Sequence, residues 1–234
     1  MGLLTAWHVL HATHPPVPIG KDTDHILGVI ISEKDILRLP CRYLIEQPIA
    51  EPQSEQHGPD LTFIEIPTMP QLATLKDRKS FWNLDGVVLQ GQVAPRKESH
   101  ILCTLGTPAE NQTKSFDGFK TDMALEIGGY FTGLRPCEVY DFGEFDYIDT
   151  LIEYAAERRM PASFGGVSGG GLWSFTVAFK TGFKDPKVKD VLFCGVAFYQ
   201  TDRIENQRYI RHHYLKSIYG VTANAIRNGR HAKE

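Results

Sequence analysis

Apolar positions along this chain fall mostly in short runs cut by proline and glycine, the pattern of β-strands rather than of long helices. Ile26 to Ile31 is one compact run, and Leu61-Thr62-Phe63-Ile64-Glu65-Ile66 is another, stopped by Pro67. Gly86 to Val93 and His100 to Leu105 continue the series, the second closing on Gly106-Thr107-Pro108. Residues 107–122 are polar and carry Pro, Asn, Asp and Gly, so a loop is expected there. Leu172 to Phe179 and Val191 to Tyr199 add two late strands. Two stretches carry the helical period instead. Ile148, Leu151, Ile152 and Ala155 share one helical face, with acids leading, Arg158-Arg159 closing and Pro161 as the stop. Ile210, Tyr214 and Ile218 recur every four residues, which predicts a terminal helix from about Glu205 to Tyr219, capped by Gly220. Many strands with one intermediate and one terminal helix predict an all-β fold, a barrel or a sandwich.

Composition narrows the function classes. The chain of 234 residues is 42% hydrophobic and 23% charged, the balance of a globular protein with a sizeable core. A net charge of −3 gives no electrostatic reason to bind nucleic acid or an anionic membrane. Basic residues gather late, at Arg203, Arg208, Arg211, Lys216, Arg227 and Arg230, and read as the solvated face of the terminal helix. Cys41, Cys103, Cys137 and Cys194 are widely spaced, without the intervals of a zinc site. Cys103 and Cys194 lie in apolar runs and read as buried, reduced thiols. The first residues lack the basic and apolar regions of a signal peptide, which points to a cytoplasmic location.

Three segments carry candidate chemistry. In Phe164-Gly165-Gly166-Val167-Ser168-Gly169-Gly170-Gly171 a hydroxyl sits among glycines that open turn conformations closed to residues with a Cβ. An acyl-transfer nucleophile needs such a turn, with backbone N–H groups facing the developing oxyanion. A glycine-rich hairpin with an incidental serine reads the same way. Leu3-Leu4-Thr5-Ala6-Trp7-His8-Val9 reads as a strand end presenting His8, with His11 and His14 as rivals. Asp60, after Gly58-Pro59, stands at the mouth of the Leu61 strand, where a plain turn residue would also stand.

Taken together the order His, Asp, Ser is one of the known triad orders. Thr5-Ala6-Trp7-His8-Val9, Asp60-Leu61-Thr62-Phe63-Ile64 and Gly166-Val167-Ser168-Gly169-Gly170 resemble the T-A-x-H, D-[IL]-[AT]-x-[LI] and G-x-S-G-G segments of the trypsin-like serine proteases. The resemblance implies a chymotrypsin-like double β-barrel. Residues 1–95 would form the first barrel, with His8 and Asp60, and 96–234 the second, with Ser168 and the C-terminal helix. It implies an endopeptidase acting on peptides or proteins, with His8 as base, Asp60 as orienting acid and Ser168 as nucleophile. The N–H groups of Gly166 and Ser168 would form the oxyanion hole, and the resemblance implies no metal or organic cofactor. Ala162, Phe198, Tyr199 and Gln200 would line the primary specificity pocket, whose lack of a carboxylate predicts a broad bias to uncharged side chains.

The sequence departs from the family in places. Seven residues precede His8, so the first barrel is expected to lack the family's leading hairpin. Val167 replaces the acid that pairs with a newly cut N-terminus, so no such activation is expected, and Gly171 replaces a proline. Two other readings remain: a catalytically inactive protease fold kept for binding, and an α/β-hydrolase with Asp190 or Asp202 and His212, His213 or His231 downstream.

Overall fold

A computed structural model describes residues 1–11, 16–31, 35–54, 58–85, 100–116, 121–125, 128–133, 138–154, 160–180 and 184–231. The expected strand from Gly86 to Val93, the division at residue 95, His14 and Cys137 lie outside the described residues. The chain forms two compact units, Met1–Gly86 with Thr222–Glu234, and Val87–Val221.

In the first unit, β1 (Gly2–Thr5) leads into the short helix α1 (His8–His11). A hairpin of β2 (Ile26–Ile30) and β3 (Ile36–Pro40) follows, then β4 (Ile45–Ala50) and β5 (Leu61–Glu65). β5 is the middle strand of an antiparallel sheet in the order β1-β5-β4. Leu61, Thr62, Phe63 and Ile64 are all buried, so this strand reads as a continuous run rather than an alternation. Leu10, Leu39, Leu44, Ile64, Ile66 and Leu75 make the core, which Leu75 enters from α2 (Pro70–Arg78), a helix started by proline in its first turn.

The second unit is dominated by one antiparallel sheet. Its strands are β6 (His100–Gly106), β9 (Gly128–Gly133), β10 (Glu138–Phe142), β11 (Phe145–Glu153), β12 (Gly171–Lys180), β13 (Lys184–Gln200) and β14 (Gln207–His213). They run in the order β10-β11-β14-β13-β12-β6-β9, and no closed barrel is found among the described residues. The protein is thus mostly β-sheet, as the apolar runs predict. Cys103 and Cys194 are buried and unbridged, and burial pushes the Cys194 thiol up to about 12. Among the described residues, no helix is long and apolar enough to cross a membrane.

Three expectations are corrected. Ile148, Leu151 and Ile152 lie on β11, not on a helix, while Ala155, Arg158 and Arg159 fall outside the described residues. β11 pairs on both sides, with β10 and β14. Ile148, Thr150 and Ile152 are buried on one face while Asp149 and Glu153 take the other, and the apolar Leu151 among the latter completes a spacing that imitates a helical stripe. The expected terminal helix is strand β14 over its first half. Helical structure begins later, with a π-helical turn at Lys216–Thr222 and then α3 (Ala223–His231). Gly220 lies inside that turn rather than capping it. Only the Tyr214–Ile218 spacing is helical, and the Ile218 N–H donates to the Tyr214 carbonyl at 3.0 Å. α3 groups with the first unit, where Arg227 Nε donates to Asp85 Oδ1 at 3.0 Å. The expected loop at 107–122 contains a 3-10 turn, Ala109–Asn111, and a hairpin of β7 (Gln112–Phe116) and β8 (Thr121–Leu125). Among the described residues that hairpin forms its own two-stranded sheet, so pairing into the main sheet imposes no apolar face on it.

Candidate active site

The antiparallel ladder of β1 with β5 brings the first two candidates together. Thr5, at the end of β1, pairs with Thr62, at the start of β5. His8, three residues past Thr5, and Asp60, two before Thr62, therefore emerge at the same end of the sheet. Asp60 is 2% exposed, and its carboxylate holds His8 twice. Oδ1 accepts the His8 backbone N–H at 2.9 Å, and Oδ2 bonds Nδ1 of the ring. Two bonds from one buried acid fix both the chain and the ring, leaving Nε2 as the nitrogen without a partner among the described residues. The His8 side chain is 33% exposed.

His11, the rival, is committed elsewhere. Its Nε2 bonds Glu46 Oε1 at 2.8 Å, and its ring stacks on Trp7 with centroids 4.0 Å apart. The Thr62 hydroxyl donates to the same Glu46 oxygen at 3.1 Å.

In the second unit, Ser168 sits on a tight turn just before β12. The turn is bonded into β13: the Gly169 N–H donates to the Ala197 carbonyl at 2.7 Å, and the Ala197 N–H returns to Gly170 at 2.8 Å. Within it, the Val167 N–H donates to Phe164 at 3.0 Å and the Gly170 N–H to Val167 at 2.8 Å. The N–H groups of Gly166 and Ser168 donate to nothing among the described residues. Glycine is required here on two grounds. Gly166 has φ +90°, and a Cβ on Gly170 would stand 2.3 Å from the Leu105 carbonyl oxygen. Phe164 and Val167 anchor the turn by packing with Ile152, Ala197 and Ile210.

The expected pocket residues divide. Ala162 is exposed, and its N–H donates to Glu110 Oε1 at 2.9 Å. Phe198 is 3% exposed and its ring lies 4.7 Å from that of His213, so it belongs to the core rather than to a pocket wall. The pairing of β13 with β14 shifts register between Ala197 and Tyr199, which changes the side each residue faces. Tyr199 is half-buried beside Arg211, whose guanidinium lies 5.7 Å from its ring centre. Gln200 is the hub of a polar cluster. Its Oε1 accepts the Phe164 N–H at 2.8 Å and Arg208 Nη1 at 2.6 Å, and its Nε2 donates to Ser163 Oγ at 2.9 Å.

Arg208 had no role in the sequence reading beyond the late basic residues, because it was placed on a helix. On β14 it shares a face with Ile210 and His212, a placement that only the strand period could have revealed. His212 is fully buried, with Nε2 2.9 Å from Thr104 Oγ1, and burial lowers its pKa to about 4. It is held as a neutral core histidine. The α/β-hydrolase alternative needs a helix directly after the nucleophile, and β12 stands there instead.

Among known proteins, no family model, curated protein or solved structure matches the chain.

Proposed function

We propose that the chain is a serine endopeptidase of the trypsin-like type, on a chymotrypsin-like pair of β units, with His8, Asp60 and Ser168 as its triad. The observation that carries the reading is the doubly bonded His8–Asp60 pair, since a buried carboxylate on Nδ1 is what fixes a general base for proton transfer at Nε2. The glycine turn adds support through two N–H groups left unspent.

In this reading Ser168 Oγ attacks the peptide carbonyl carbon as its proton passes to His8 Nε2. The carbonyl π electrons move onto oxygen, where the Gly166 and Ser168 N–H groups hold the charge, each such donor being worth roughly 3 kcal/mol in the transition state. The C–N bond then breaks, and the leaving amine takes the proton from His8. Water, deprotonated by the same ring, hydrolyses the acyl-enzyme and restores Ser168. No step calls for a cofactor.

A fluorophosphonate probe, which needs an activated serine, tests this directly. Ser168 should be labelled, and Ser168→Ala and His8→Ala should each abolish labelling. Labelling that persists in Ser168→Ala means that the nucleophile is another residue. A wild-type protein that stays unlabelled favours the catalytically inactive, binding form of the fold.

A further inference from the structure

Two arginines on β14 face opposite ways and differ in what they meet. Arg211 makes a two-pronged pair with Asp149, 2.9 Å on each prong, and lies over Tyr140. Arg208 pairs with no carboxylate among the described residues. It reaches the neutral Gln200 oxygen with Nη1, and its Nε is buried without a partner. Arg208 is half-buried, its Nε is covered and unspent, and no counter-charge meets it among the described residues, so an anionic ligand would complete its bonding.

A second orphan donor lies on the same face. Ile152 pairs directly with Arg208 across β11 and β14, and Tyr154 continues that ladder with its N–H on the Asn206 carbonyl at 2.8 Å. Tyr154 therefore stands diagonal to Arg208 on the Ile152 side, and its hydroxyl is also buried without a partner. Ser163 Oγ and the Gln200 amide complete the surround. Glu110, exposed, accepts the Ala162 N–H at 2.9 Å.

This cluster adjoins the nucleophile turn through Gln200, whose Oε1 accepts the Phe164 N–H. Gly165, beside the unspent Gly166 N–H, accepts the Ala109 N–H through its carbonyl and gives its own N–H to Ser163 Oγ at 3.0 Å. A Cβ built on Gly165 would stand 3.3 Å from Ser163 Oγ and 3.9 Å from Gln200 Nε2. The Gln200 and Ser163 contacts therefore set the Arg208 cluster beside the turn whose Gly166 and Ser168 N–H groups are unspent.

We infer that the residue preceding the scissile bond is acidic, Asp or Glu, with its carboxylate taken by Arg208 beside Gln200 and Ser163. The inference rests on the serine-endopeptidase reading, and it replaces the uncharged preference that the sequence alone predicts. A planar guanidinium suits a carboxylate in a way that an amide or hydroxyl ligand cannot match, because only the carboxylate also supplies the missing charge.

The test is equilibrium binding of acetylated peptides that end in Glu, Gln or Lys, which mimic the acyl product and need no turnover. The Glu peptide should bind about tenfold more tightly than the other two, and Arg208→Gln should bring all three within about twofold. In the wild-type protein, the Arg208 Nε–H resonance should shift with the Glu peptide and stay still with the Gln peptide, a readout that survives any folding defect of the variant. Equal affinities, a preference that survives Arg208→Gln, no binding of the Glu peptide, or an unmoved Nε–H signal each overturn the inference. Fluorophosphonate labelling of the same wild-type preparation separates the two ideas. Labelling without an acidic preference rejects the pocket and keeps the protease, whereas the preference without labelling keeps the anion site and rejects the protease.

Discussion

His8 in the first unit and His212 in the second are both placed by strands, yet their surroundings suit opposite tasks. His8 is a third exposed and held by a buried carboxylate on Nδ1. His212 is fully buried, and its Nε2 lies 2.9 Å from the hydroxyl of Thr104. An imidazole that must gain a proton during a reaction needs both a counter-charge and access to the reacting group. The first environment offers both, whereas full burial denies the second any access. Histidine content therefore says little about chemistry until the partner and the solvent are known.

The sharpest way to break the contrast is to remove the charge on Asp60 while keeping its shape. In Asp60→Asn the amide oxygen can still accept the His8 backbone N–H that Oδ1 now takes. The amide NH2 then faces Nδ1 and donates to it, so the ring proton moves to Nε2, which can no longer accept from a serine. Labelling and peptide hydrolysis should fall by about four orders of magnitude, the loss expected when a triad carboxylate becomes an amide. Thermal stability should change little by comparison. A near-wild-type rate in this variant would remove Asp60 from the mechanism.

The opposite environment is probed by acid. Burial lowers the His212 pKa from 6.5 to about 4, so between those values the unfolded chain takes up a proton that the folded protein refuses. Stability is therefore lost as pH falls from 6.5 towards 4, by roughly 3 kcal/mol in all, with no further loss from this group below that window. Urea unfolding across the window should show the loss, and His212→Gln should flatten that part of the profile. An unchanged pH dependence in His212→Gln would mean that other groups set it.

The two environments were not equally legible in the sequence. His8 and Asp60 are found by local patterns, a strand running into a turn and an acid opening an apolar run, and β5 forms where that run predicts. The ladder then does the rest, because β1 ends where β5 begins. β11 and β14 were misread as helices for a shared reason. In both, an apolar residue off the buried face or beyond the strand completes a spacing of three or four and imitates a helix: Leu151 with Ile148 and Ile152 in β11, and Tyr214, past the end of β14, with Ile210. Arg208 was lost with them: its meaning depends on the face it takes, and a helix places it in solvent. Phe198 was misplaced by a register shift that no local pattern announces.

The smallest expected effect separates His8 from its nearest rival. His11 also bonds a carboxylate, so a histidine–acid pair alone does not single out the base. The difference lies in which nitrogen is used and how deeply the acid is buried. His11 spends Nε2 on Glu46, whose side chain is 17% exposed and shares the same oxygen with Thr62, and its ring is covered on one side by Trp7. That arrangement ties α1 to the sheet and leaves no reason for proton transfer to a substrate. His11→Gln keeps a polar group within reach of Glu46 and loses the ring stack. A partly exposed pair contributes between zero and about 1 kcal/mol, and the stack about as much again, so the variant should lose about 1 kcal/mol of stability. Fluorophosphonate labelling should proceed at the wild-type rate. Labelling abolished in a folded His11→Gln protein would transfer the role of base from His8 to His11, and the contrast drawn between His8 and His212 would have to be redrawn around the Glu46 pair.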